Sequence, residues 1–516
     1  MKEWHDIPAG AILVGVIFMI LPCLVPLFQR IGMDYLIVGA SAVLALNLLL
    51  VYVAKQTRSK PMPFSWADAV LLVFWGYIFL NGQTQSSISS PILFWKWISA
   101  CLAFLFGKTI TDNIKSLLVI FMGTAVVQAF IVLLQYFGVL VSLSFFFPVS
   151  GTFGNPQYPA TLICVGLVIL AEEQVARFRG YGPFGKIIIL TLAIILLSAL
   201  FVCGTRSCLF ALIVVIGVFI YWRKPSKNGA LILFMLIVAS IISLYYLRPG
   251  SANVRLLIWH AGVSIFLAHP FLGKGVGSFM TDYMYAQADY FATHPNSPFT
   301  LLASDHCQPY NELLRLLCEE GLVGTLLFCL FLGLIFRRRN ASTMPLLTIC
   351  IIGLTYNVSD HFVLYLMFWS LAGIKSSSLS SRSTYRSFAY PFAAISCMLV
   401  VFVSILRLSS SSFMKDPSHE PEVPTYWRIC EKGDKMLKAG DSSGAEEMYR
   451  LAWQMVPGRI TAPFRLFMIY LEEDSDRAEE MADYILNRQK LQYMNGQALE
   501  MRNFVRQHSK SQLFFR

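Results

Sequence analysis

Leu247-Arg248-Pro249-Gly250-Ser251-Ala252-Asn253-Val254-Arg255 opens the one long, mostly polar interruption in a chain that is otherwise a succession of apolar segments. The interruption runs to Gly324. Arg255 and Trp259 stand one helical turn apart in it, and His269-Pro270 leads into Gly273, Gly275 and Gly277. Asp305, His306, Tyr310, Asn311 and Glu312 precede the return of apolar sequence at Gly321. Working outward from this stretch, the chain repeatedly supplies the run of about 20 mostly apolar residues that a bilayer-spanning helix needs. Spans are expected at 9–28, 35–54, 68–81, 91–110, 117–141, 158–172, 187–203, 207–222, 229–247, 321–336, 344–356, 360–374 and 388–406. The pair around Asn357-Val358-Ser359-Asp360 reads equally as one broken helix, which makes the count about twelve or thirteen. The fold class is therefore all-α: a polytopic membrane protein with a large outer loop and a small soluble helical-repeat domain.

Composition excludes a soluble class. Hydrophobic residues make up 56% of the chain and charged residues 14%, with a mean hydropathy of +0.60. The net charge of +11 would suit a nucleic-acid surface. Its surplus, however, is spread through short loops between spans, so no nucleic-acid partner is expected. Lys55, Arg58 and Lys60, Lys108 and Lys115, Arg177, Arg179 and Lys186, Arg223, Lys224 and Lys227, Arg337 to Arg339, and Lys375, Arg382 and Arg386 fall in alternate loops. The opposite short loops carry only Arg30 and Arg206. By the positive-inside rule the basic loops and the N-terminus face the cytoplasm, and the long loop and the C-terminal tail face outward. Ala9 to Phe28 reads as a signal-anchor rather than a cleaved signal peptide. Cys203 and Cys208 flank an outer turn and could pair, but read better as packing residues.

The remaining segments sort by composition. Residues 142–157 carry no charge, three consecutive phenylalanines and a Gly151-Thr152-Phe153-Gly154-Asn155-Pro156 turn, and read as a re-entrant connector. Domains are expected at 1–407, with the outer loop at 248–320, a Ser/Pro linker at 408–424, and a helical domain at 425–516. In the last, Trp427, Gly433, Ala445, Tyr449, Ala452 and Pro457 fall where a tetratricopeptide unit places packing residues. A further helix pair is expected at 462–489 and a helix at 495–507.

Candidate chemistry gathers on the outer side. Arg206, in Cys203-Gly204-Thr205-Arg206-Ser207, is either a guanidinium aimed at a phosphate or a snorkelling helix anchor. Arg255 either joins it or makes a cation–π pair with Trp259. Gly273-Lys274-Gly275-Val276-Gly277-Ser278 lacks P-loop spacing and is expected to be a tight turn, not a nucleotide site. His306 can accept a proton from a sugar hydroxyl, with Asp305 beside it; His294 and His361 are further polar candidates, and Lys96 could add positive charge. No metal-ligand spacing is present, so neither metal nor cofactor is expected.

These features resemble the O-antigen ligase and polymerase superfamily of bacterial envelope glycosyltransferases. The resemblance covers roughly residues 10–375. It rests on the Gly151–Pro156 turn, Thr205-Arg206-Ser207, Arg255 with Trp259, His269-Pro270 with Gly273 and Gly275, and Asn311-Glu312 running through Glu320-Gly321-Leu322-Val323-Gly324. It implies metal-independent, inverting transfer at the outer face of the inner membrane. The donor would be an oligosaccharide on undecaprenyl pyrophosphate, and the acceptor a hydroxyl of lipid A–core, of a growing glycan or of a protein. It also implies that Arg206 and Arg255 bind the pyrophosphate. Members of the superfamily often carry a histidine directly before the Asn, where this chain has Tyr310. The catalytic set expected here is therefore His306, Tyr310 and Asn311, with Lys96, His294, Asp305 and His361 as accessory residues. The alternatives are an O-antigen polymerase, a protein O-oligosaccharyltransferase and, in another class, a transporter of lipid-linked glycans. A transporter would spread polar residues along several mid-membrane spans, whereas here they gather at one face.

Overall fold

The computed structural model describes residues 64–84, 99–108, 114–379 and 423–509, apart from 102, 145, 176–179, 224, 248, 307, 474 and 488–495. The expected spans at 9–28, 35–54 and 388–406, most of the 408–424 linker, Arg248 and the candidate Lys96 lie outside the described residues.

Every regular element among the described residues is a helix. The bundle comprises α1 (Trp66–Thr84), a helical stretch at 99–108, α2 (Ile114–Tyr136), α3 (Gln157–Val175), α4 (Pro183–Cys203), α5 (Arg206–Arg223) and α6 (Lys227–Leu247). After the polar loop it continues with α9 (Glu312–Ile335), α10 (Thr343–Gly353) and α11 (Phe362–Ser377). The polar loop itself forms α7 (Pro249–Ala268) and α8 (Ser278–Thr293). Among the described residues, five helices are long and apolar enough to cross a membrane: those at Leu117–Tyr136, Pro183–Cys203, Arg206–Arg223, Pro249–Ala268 and Glu312–Ile335. The chain is an all-α polytopic membrane protein.

Two boundaries depart from expectation for local reasons. The span expected to reach 141 stops at Tyr136, because Gly138 turns the backbone to φ 74°. The residues around 357–360 are not one broken helix: a short 3₁₀ turn, Val358–Asp360, separates α10 from α11. The uncharged segment that follows α2 folds back onto it. Gln135 Oε1 accepts from Ser150 N (2.9 Å) and Gly151 N (2.8 Å), and Gln128 Nε2 donates to Thr152 Oγ1 (2.9 Å), which pairs irregular backbone that is buried. The ends that carry basic loops meet: Arg339 reaches Glu172 (4.0 Å) and lies over the rings of Phe219 and Trp222.

α7 is the least apolar of the five long helices, and its partners place it in a cap rather than in the bundle. Its Leu257, Ile258 and Ala261 pack with Phe279, Tyr283 and Met284 of α8 and with Leu314 and Cys318 at the start of α9. The same core continues into the C-terminal helices α12 (Tyr426–Lys438), α13 (Ser442–Met455) and α14 (Thr461–Glu473) through Tyr426, Ala452, Met455 and Ala462. These helices, with α15 (Ser475–Asn487) and α16 (Gly496–His508), also build a core of their own around Tyr449, Phe467 and Tyr470. Tyr449 packs directly on Gly433, whereas Trp427 is exposed and its ring faces Arg459.

Candidate active site beneath the cap

The site is framed by a break in α9. Gly321 takes φ 63°, ψ −166°, so the helix loses its internal ladder there. The turn after His269-Pro270 supplies the missing partners: Gly275 N donates to Glu319 O (2.8 Å), Leu322 N to Pro270 O (2.8 Å) and Val323 N to Phe271 O (3.1 Å). From α1, Tyr77 Oη and Asn81 Nδ2 both donate to Leu272 O at 2.8 Å. A Cβ on Gly273 would collide with Glu319 O, and one on Gly321 with Phe271 O, so only glycine permits this approach. The glycine series is thus a docking turn that seats the cap on the bundle.

Arg206 and Arg255 come from different layers to one place. α4 ends at Gly204 (φ 62°), whose N–H bonds Phe201 O, and the reversal sets Arg206 at the first position of α5, beside the carbonyl end of α4. Arg255 projects from the first half of α7. The two guanidinium groups lie within electrostatic reach of each other, and the phenols of Tyr310 and Tyr356 share that neighbourhood. The Arg255 Cζ stands 5.9 Å from the Tyr310 ring. The expected cation–π partner of Arg255 was Trp259, which instead donates from Nε1 to Pro309 O (3.0 Å) and pins the loop that presents Tyr310.

Tyr310 has φ 49°, the one positive value at a non-glycine among the described residues, a backbone cost of about 1–3 kcal/mol that surrounding contacts must hold. Its ring is 6.3 Å from that of His306 and 5.8 Å from that of Tyr356. The Tyr356 ring is 5.6 Å from that of Tyr158, whose ring in turn meets His361 at 4.6 Å. A continuous aromatic wall therefore runs from His306 into the bundle. Burial pushes the His306 imidazole below the usual histidine range; nearby Asp305 opposes that shift and Arg459 adds to it. The group is biased toward its neutral, proton-accepting form.

The other sequence candidates fall as follows. Asn311 caps α9, its Oδ1 accepting from Leu313 N (3.0 Å) and Leu314 N (3.2 Å). Asp305 does not orient an imidazole: its two oxygens accept from Tyr426 N (2.7 Å) and Arg459 Nη1 (2.5 Å), both in the C-terminal helices. His294 belongs to a separate, exposed group, stacked on Tyr290 (4.7 Å) and near His260 (6.3 Å), beside a cavity of about 350 Å³. His361 packs against Phe153 (4.4 Å) at the start of α11, which suits a wall residue. Cys203 and Cys208 are free thiols packed in the core.

Sequence reasoning missed three groups. Arg315 bonds Glu312, Asp360 Oδ1 (2.9 Å) and Ser359, while Ser359 N donates to Glu312 Oε1 (2.7 Å), tying α9 to the 3₁₀ turn. The Glu312/Arg315 spacing of one helical turn was a readable signal. Tyr356 and Arg459 had none, because their partners are remote in sequence.

The model of a known family, described as Wzy_C, O-antigen ligase, matches residues 191–329. Over this segment the chain is similar to the O-antigen ligase family. The matched O-antigen ligase segment holds Arg206, Arg255, His306, Tyr310, the docking turn and the break at Gly321, and ends before the C-terminal helices. That match, together with the apolar helices, supports a multi-pass membrane glycosyltransferase of the ligase or polymerase type that handles a lipid-linked glycan and an acceptor. No curated protein matches the chain.

Proposed function

We propose that the chain is a ligase that moves a glycan from undecaprenyl pyrophosphate to a hydroxyl of lipid A–core at the outer face of the inner membrane. The observation that supports this reading is that Arg255 lies over the Tyr310 ring (5.9 Å) within electrostatic reach of Arg206, while the His306 ring is 6.3 Å from that of Tyr310. Two adjacent guanidinium groups repel each other unless an anion lies between them, and a diphosphate offers oxygens for both. The acceptor oxygen attacks the anomeric carbon, giving its proton to the His306 imidazole. The bond from that carbon to the pyrophosphate oxygen breaks with inversion, and the charge that develops there falls on the two guanidinium groups. Those cations do the work for which other transferases use a divalent ion, so the proposed reaction is metal-independent and uses no cofactor. Tyr310 separates the base from the cations, and Asn311 fixes the helix that carries it.

The cytoplasmic N-terminus and the periplasmic loop and tail are supported by the Lys/Arg asymmetry of the loops. We assign residues 1–407 to the transferase and 425–516 to a tetratricopeptide-like domain. The test is the envelope glycan profile of a deletion strain. Uncapped lipid A–core with intact polymer is the expected result. Caps of a single repeat would make the enzyme a polymerase, and altered glycoproteins would make it a protein O-oligosaccharyltransferase. An unchanged profile would overturn the proposal.

A further inference from the structure

We propose that the C-terminal domain is a working part of the cap, with Arg459 as a positioning residue that clamps the loop bearing His306 and Tyr310. This rests on the reading of His306 as the base.

Ser304, Asp305 and His306, and then residues 308 and 309, lie outside any helix, and this loop is held at both ends from outside itself. Trp259 grips its far end at Pro309 O (3.0 Å). At its near end, Arg459 donates to Asp305 Oδ2 (2.5 Å) from Nη1 and to Ser304 Oγ (3.4 Å) from Nη2, and Tyr426 N donates to Asp305 Oδ1 (2.7 Å). A further link lies alongside: Gln287 Nε2 donates to Met455 O (2.6 Å) while its Oε1 accepts from the Tyr283 hydroxyl (2.6 Å). Arg459 is itself fixed, with its Cζ 4.9 Å from the Tyr426 ring and 5.5 Å from that of Trp427. The pair is shielded, with side chains 13% and 18% exposed. A shielded, two-pronged contact of this kind is worth more than an exposed pair, and removing one partner strands the other.

The clamp also sets the charge beside the base. The groups facing His306 are Asp305, Arg459 and the ring of Tyr310, and the two charges act on the imidazole in opposite senses. A contact that only stabilised the fold would reduce the amount of folded enzyme and leave kcat per folded molecule unchanged.

The experiment uses the full chain in native membranes. It measures kcat, KM for the lipid-linked donor and the pH profile for Arg459→Ala, Arg459→Lys, Asp305→Asn and the charge-reversed pair Asp305→Arg with Arg459→Asp. Arg459→Ala should lower kcat on the order of 10²-fold, as misplacement of a catalytic group does, with donor KM little changed. Its acid limb should move to higher pH, and that of Asp305→Asn to lower pH. Arg459→Lys, which keeps the charge without the fork, should recover part of kcat, and the reversed pair should outperform either of its single variants. Wild-type kcat in Arg459→Ala, or acid limbs that do not move apart, would overturn the clamp. If His306→Ala is inactive while the Arg459 variants are normal, the clamp fails and the base stands. If His306→Ala is active while Arg459→Ala is not, the base assignment fails.

Discussion

His306 and His294 lie on the same polar segment, in settings that share little. His294 caps α8 at an exposed position, its Nδ1 near Tyr290 O (3.1 Å) and Thr293 Oγ1 (2.9 Å) and one face stacked on the Tyr290 ring. His306 is half-buried between an ion pair and Tyr310, and that tyrosine leads directly to Arg255. The residue type is identical and the backbone is loop in both places. What differs is whether the imidazole has charged neighbours and is shielded enough for them to set its proton affinity. Chemistry in this cap follows the surroundings, not the presence of a titratable ring.

The sharpest way to break the comparison is His306→Ala. Transfer should fall by roughly 10²–10⁴-fold, the range expected for a lost general base, with donor binding retained in a lipid-pyrophosphate binding assay. Equal loss in His294→Ala would erase the distinction. Next come Arg206→Ala and Arg255→Ala, each expected to cost about 10²–10³-fold in kcat and, unlike the histidine change, to weaken donor binding as well. A smaller effect separates the two rings by pH. Because burial favours neutral His306, the acid limb of kcat/KM should lie below the ordinary histidine value of about 6.5, and activity should persist as pH falls through that value. A limb at or above it would indicate a solvated base. The smallest effect belongs to His294→Ala, which should leave steady-state rates within about twofold and stability within about 0.5 kcal/mol by thermal unfolding.

Much of this was legible from residue order alone. Membrane helices announce themselves through composition, because lipid rewards apolar length and little else. Gly273, Gly275 and Gly277 pointed to a tight turn, and the structure sets the first of them against Gly321, which the sequence offered only as the start of an apolar span. Arg206 could be named as a candidate from its cost at membrane depth, and Arg255 from its place in the polar outer loop. What stayed hidden were partnerships between distant positions. Asp305 reads as a companion of His306 because it is adjacent, yet its carboxylate is taken by a residue 154 positions away. Trp259 reads as a ring for Arg255 at helical spacing, but its N–H is drawn to Pro309, and Tyr310 takes the guanidinium instead. Local spacing predicts local pairs, and a folded chain overrides them wherever a better bond is available from elsewhere.

The apolar seam that joins Leu257 and Phe279 to Tyr426 and Met455 bears on biogenesis. Synthesis runs from the N-terminus, so one half of the seam is finished while the other is still inside the ribosome. Until the last helices arrive, a greasy face stands open to solvent and to neighbouring copies. A nascent chain stalled before residue 426 should therefore be a target for chaperones and proteases, and the quantity of mature protein depends on how quickly that exposed interval ends.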